Sequence, residues 1–129
     1  MKWVIANDVV EDLRADTKLY LPPLSKRRGF SSTRVEHLLH NLCAAMPEDE
    51  SYLEIGVLEG RTLEAASKSG RRCYGLDPCI KYAIEPEPFD GKVTFLKERW
   101  EDVTAAHLEM PAGVCFYDGD HSAGETCKF

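Results

Sequence analysis

One stretch constrains this chain more than any other. Residues 51–56 (SYLEIG) read as a short apolar strand that runs into a turn carrying Gly60. A helix follows over about 61–69 and is closed by Gly70. The chain then returns as a second strand, 72–77 (RCYGLD), stopped by Pro78. Residues 92–96 (KVTFL) read as a third strand, 101–110 as a helix ending before Pro111, and 113–118 (GVCFYD) as a fourth strand. Pro78, Pro86 and Pro88 leave room only for a short helix between the second and third strands. Strands alternating with helical crossovers predict an α/β fold, a mostly parallel sheet of about four strands with helices on both faces. Such crossovers are nearly always right-handed.

The 129 residues suffice for one domain with a modest core. We place that domain at residues 31–129 and read 1–30 as an N-terminal extension. A weak helical pattern runs through Val4, Val9, Val10 and Leu13, and the segment around Pro22 and Pro23 is extended. The domain opens with a helix. Thr33 followed by Glu36 matches a capping box, and Val35, Leu38, Leu39, Leu42 and Cys43 form one apolar stripe. Pro47 and the acids after it end this helix.

Composition excludes several classes. No apolar run approaches the roughly 20 residues that cross a bilayer, and the N-terminus turns acidic too early for a secretory signal. A cytoplasmic protein without a membrane partner is expected. The net charge of −6 argues against binding a phosphate backbone, so no nucleic-acid partner is expected. The one basic cluster, Lys26-Arg27-Arg28, reads as a solvated loop. The five cysteines are scattered without a C-x-x-C pair, which supports neither a zinc ribbon nor a redox motif. Cys43 and Cys115 fall on apolar patterns and are expected as small core residues.

Three places carry chemistry. The turn at Glu54, Gly56 and Gly60 lets a ligand approach the backbone, because glycine has no side chain in the way. Its G-x-x-x-G spacing lacks the G-x-G-x-x-G fingerprint, and Glu54 would repel a pyrophosphate, which disfavours a nicotinamide dinucleotide. A cationic or neutral ligand suits it better, and a plain strand-turn-helix remains the bland alternative. Asp77 closes the second strand about 20 residues on, where an acid can accept from both ribose hydroxyls, or simply end the strand before proline. Asp118, Asp120 and His121 follow the fourth strand at the same sheet edge. They could bind a hard divalent cation, orient a base, or form only a solvated Asp-Gly turn.

Together, SYLEIGVLEGRTLEAA, CYGLDP and VCFYDGDHSAGET resemble class I S-adenosylmethionine-dependent methyltransferases, in particular the subgroup with D-G-D-H-S after the fourth strand. The resemblance spans roughly residues 30–127. It implies a Rossmann-like sheet of order 3-2-1-4. It also implies that Glu54, Gly56 and Gly60 line the methionine and ribose part of S-adenosylmethionine, with Asp77 on the ribose hydroxyls. Arg99, Trp100 and Glu101 follow the third strand, where the family contacts adenine; Trp100 would stack there or belong to the core. Asp118 matches an acid near the methyl donor that in some members binds a divalent cation such as Mg, and His121 a general base.

A full domain of that family carries further strands after the fourth, so the chain looks like an incomplete fold of that type. The expected function is methyl transfer from S-adenosylmethionine, to oxygen on a small-molecule or sugar-like acceptor. The alternative is a non-catalytic, truncated cofactor-binding or assembly fragment. With the fourth strand at an edge, a homodimer through that strand is expected.

Overall fold

Strand β1 (Ser51–Ile55) is buried along its whole length, as a strand is when both faces of a parallel sheet are covered. The computed structural model of the chain describes residues 22–27, 31–78 and 92–118. β2 (Cys73–Leu76) pairs with β1 from Tyr52↔Cys73 to Ile55↔Leu76 and is buried throughout. β3 (Val93–Leu96) lies outside β2. β4 (Ala112–Tyr117) flanks β1 on the other side, ending at Ile55↔Tyr117. Every pairing is parallel and the order is β3-β2-β1-β4. The resemblance implied the same order. Both outer strands are half-buried along their length.

Two α-helices pack on one face. α1 (Thr33–Ala45) contributes Leu39 and Cys43, and α2 (Arg61–Ser67) contributes Leu63 and Ala66. They meet Tyr52, Val57 and Cys73 from the sheet side. The expected Thr33–Glu36 capping box does not form. Ser32 is the cap, its hydroxyl accepting from the Val35 N–H at 3.4 Å, and the Glu36 side chain is buried in contacts described below. α2 ends at Ser67, two residues earlier than expected, and Gly70 in the left-handed region (φ 80°) follows, its N–H bonding the Ser67 carbonyl at 2.9 Å. α2 can lie close to the sheet because Gly75 has no side chain. A Cβ there would sit 2.7 Å from Leu63 Cδ2 and 2.9 Å from Val57 Cγ2.

The opposite face buries Leu53, Ile55, Tyr74 and Leu76 beneath Trp100, Val103 and Leu108. The helix expected over 101–110 is absent. Two short 3-10 turns take its place, Trp100–Asp102 and Ala105–His107. Thr104 is the reason: it caps the second turn, its N–H donating to His107 Nδ1 at 3.0 Å, so the backbone is captured locally before an α-helix can propagate. The Glu109 N–H donates to the Tyr74 hydroxyl at 2.8 Å and fastens this crossover to β2. Among the described residues, both α-helices therefore cover one face and the 3-10 crossover covers the other. The split between α2 and the 3-10 crossover follows from the topology. The chain walks from β1 to β3 in one direction and then jumps back across β1 to β4, so right-handed crossovers must lie on opposite faces. Among the described residues no helix is long and apolar enough to cross a membrane.

Candidate functional site

The reversal of direction falls between β1 and β4, and ligands of open α/β sheets bind outside the carboxyl ends of the strands at such a point. The hydrogen bonds that end the ladders show which residues meet there. The Gly56 N–H donates to Leu76 O at 2.9 Å, Asp77 N–H to Leu96 O at 3.2 Å, and Asp118 N–H to Ile55 O at 2.8 Å. Asp77, Gly56 and Asp118 therefore stand side by side in one row across the sheet edge. The sequence expected these residues together, and the register brings them together.

The loop from β1 to α2 has an unusual backbone. Gly56 (φ 86°), Leu58 (φ 51°) and Gly60 (φ 83°) are all left-handed. For leucine this costs roughly 1–2 kcal/mol, and Leu58 is also 40 % exposed. The surroundings hold it in place. Asp77 Oδ2 accepts from the N–H groups of Val57 (3.1 Å) and Leu58 (3.0 Å), and the Gly60 N–H closes the turn on Val57 O at 2.9 Å. Asp77 thus fixes the loop, a role its position in the sequence did not announce.

Glu54 lies beneath this loop and is fully buried. Tyr52 Oη–H donates to Oε2 and Thr62 Oγ1–H to Oε1, each at 2.7 Å. Burial pushes its carboxyl up to about 8; the two hydroxyl bonds oppose this, and the negative charge of Asp118 adds to it. Sequence reasoning placed Glu54 against a ligand. Its oxygens are instead engaged within the fold, tying β1 to the first turn of α2.

Arg99 and Glu101 form an exposed ion pair at 3.4 Å. Trp100 is half-buried and packs on the cluster of Leu53, Ile55, Tyr74 and Leu76. Asp118 is exposed at the edge. Asp120 and His121 lie outside the described residues, as do Cys79, Cys127 and the N-terminal helical pattern. Cys43, Cys73 and Cys115 are free thiols, and burial pushes Cys43 and Cys115 up to about 12, so they stay protonated and inert. Among the described residues no three His, Cys, Asp or Glu side chains gather to hold a metal ion.

No protein-family model matches the chain, and no curated protein matches it. Two carboxylates, Asp77 and Asp118, flank the half-buried Gly56, an arrangement that suits a cationic group or a pair of hydroxyls and opposes a phosphate.

Sequence reasoning missed a second set of polar residues on the helical face. Glu36 of α1 is fully buried; its Oε2 accepts from the N–H groups of Leu24 (2.8 Å) and Ser25 (3.4 Å), and its Oε1 pairs with Arg61. Glu64 of α2 accepts from Ser25 Oγ–H at 2.7 Å and forms an ion pair with Arg27 at 3.3 Å. One signal was present. Glu36 sits three and seven residues before Leu39 and Cys43, on the apolar stripe, where a carboxylate is tolerated only with partners.

Proposed function

We propose that the chain binds S-adenosylmethionine at the carboxyl edge of its sheet and transfers the methyl group to an oxygen of a small-molecule or sugar-like acceptor. The observation that carries this reading is the row Asp77–Gly56–Asp118, set beside the reversal in strand order and a loop whose left-handed backbone is fixed from Asp77. The donor set fits such a ligand. Carboxylates favour its positive sulfonium and ammonium groups, and Asp77 suits a vicinal diol.

Bound there, the cofactor supplies an electrophilic methyl group. The chain's own contribution is positioning and proton removal. Asp77 accepts from the ribose hydroxyls while keeping the loop in place, and Gly56 admits the ligand to the backbone. Asp118 offers negative charge near the methyl donor, and His121 takes the proton of the attacking hydroxyl. Among the described residues, Asp118 alone does not make an oxygen-ligand set for a divalent cation. We further infer a homodimer formed through β4.

The test is calorimetric titration with S-adenosylmethionine, S-adenosylhomocysteine and NAD. Binding of the first two and not of NAD is expected. Asp77→Ala should cost about 1.5–3 kcal/mol in affinity for S-adenosylhomocysteine, the worth of a hydrogen bond to a charged group. Equal binding by wild type and mutant removes Asp77 from the site. His121→Ala should lower methyl transfer by about 10² to 10⁴ with little change in cofactor affinity. Undiminished transfer in that variant excludes the base.

A further inference from the structure

Residues 22–27 cross the helical face as a strap, and their polar contacts converge on the start of α2. Glu36 is the junction. One of its oxygens holds the strap through the N–H groups of Leu24 and Ser25, and the other holds Arg61. Arg61 is the first residue of α2 and directly follows Gly60, the left-handed residue that closes the glycine loop. The strap is fastened further along α2 as well. Ser25 and Arg27 bond Glu64, the Lys68 ammonium bonds the Leu24 carbonyl, and on α1 His37 Nε2 lies 2.7 Å from the Pro22 carbonyl. A buried carboxylate is costly unless its oxygens are satisfied. Lifting the strap would take the two amide donors from Glu36 and leave Arg61 as its remaining bond among those described. Docking the strap satisfies the second oxygen of Glu36 and keeps water from the fully buried carboxylate, which strengthens its pair with Arg61 and with it the entry of α2.

We propose that Glu36 is a positioning residue that couples the strap to the glycine loop, so that strap docking and the loop conformation reinforce each other. Coupling of this kind is reciprocal, since whatever loosens one end must loosen the other. Ligand binding at the loop enters on the reading given above, and the coupling itself is defined without it. The strap carries its own reporter, because Lys26 and Arg27 are trypsin sites within it. The loop's reporter is amide exchange at Val57 and Leu58, whose N–H groups are held by Asp77.

In the full-length chain without ligand, Glu36→Gln should speed both cleavage after Lys26 and Arg27 and exchange at Val57 and Leu58 by about tenfold, the scale set by one hydrogen bond to a charged group. Exchange at Leu53 and Tyr74 in the central strands should stay unchanged, which a general loss of fold would not allow. From the far end, Asp77→Ala should speed cleavage in the strap several-fold. Ser25→Ala, which removes a strap bond at a residue outside both hydrophobic clusters, should speed exchange at Val57 and Leu58 and decides the matter should Glu36→Gln not fold. S-adenosylhomocysteine should slow strap cleavage in the wild type and less so in Glu36→Gln. Faster cleavage in Glu36→Gln or Ser25→Ala with unchanged loop exchange, or unchanged cleavage in Asp77→Ala, overturns the coupling. If S-adenosylhomocysteine does not bind the wild type, the ligand reading falls and the ligand-free measurements still decide the coupling.

Discussion

At the scale of single residues, Glu54 shows how a motif can be legible while its role is not. The letters E-I-G at the end of an apolar strand pointed to a ligand. The packing instead gives the carboxyl two hydroxyl donors from inside the fold, Tyr52 and Thr62. Tyr52 could have been suspected, because residues two apart on a strand share a face. Thr62 could not, because its approach depends on where α2 lands. The consequence is a pH dependence with a definite sign. The folded carboxyl titrates at about 8 and the unfolded one at about 4.5. Between those values the folded state holds the proton and the unfolded state has lost it, so stability falls as pH rises through this window, by on the order of a few kcal/mol. The buried thiols and Tyr52 are shifted upward from 9 and 10, so their contribution begins above it. Urea unfolding of the wild type between pH 5 and 8.5 should show this fall, and Glu54→Gln should flatten it, with the variant the more stable of the two at pH 8.5. Parallel curves for the two proteins would show that Glu54 ionises normally.

At the scale of elements, the strands were legible because apolar runs bounded by glycine, proline and aspartate state both their length and their burial, whereas their order was implied only by the resemblance. The segment 100–110 was not. A window of mixed apolar and polar residues before Pro111 looks helical, but Thr104 and His107 cap each other's turn, and such local bonds compete with an α-helix. The cap of α1 was misplaced by one residue for a related reason: Ser32 and Thr33 are equivalent as cap types, and only burial of Glu36 settles which one is used. Gly75 carried no message in the sequence beyond interrupting a strand, yet it sets the height of α2 above the sheet. Gly75→Ala would place its new methyl under 3 Å from Leu63 and Val57. Because α2 hangs from the glycine loop, repacking it should cost about 1–3 kcal/mol in chemical unfolding. It should also weaken ligand binding at the loop, although Gly75 touches no ligand. A variant as stable as the wild type would show that Leu63 and Val57 yield freely.

At the scale of the whole molecule, the two outer strands differ in how they meet water. β3 is flanked by Lys92 and Lys97, both exposed, and charges at a strand's ends discourage a neighbour from pairing. β4 runs Ala-Gly-Val-Cys-Phe-Tyr with no charge or proline, and among the described residues no strand lies beyond it. Its inner edge is spoken for. Asp118 N–H bonds Ile55 O, and by the two-residue period of a strand Phe116 and Val114 also turn their N–H groups toward β1. Cys115 then turns its N–H outward. A second copy laid antiparallel across a two-fold axis would meet that row of donors and acceptors with its own and continue the sheet. Phe116 packs into the helical-side core, so changing it would confuse assembly with folding. Cys115 packs on the opposite cluster with a smaller side chain, and Cys115→Pro removes the outward donor while keeping an apolar group there, a substitution edge strands accommodate where the N–H faces away from the sheet. Sedimentation across a concentration series should show the wild type as a dimer and Cys115→Pro as a folded monomer, with circular dichroism confirming the fold. A wild type that remains monomeric at high micromolar concentration would show that the outward edge of β4 is not an interface between copies of this chain.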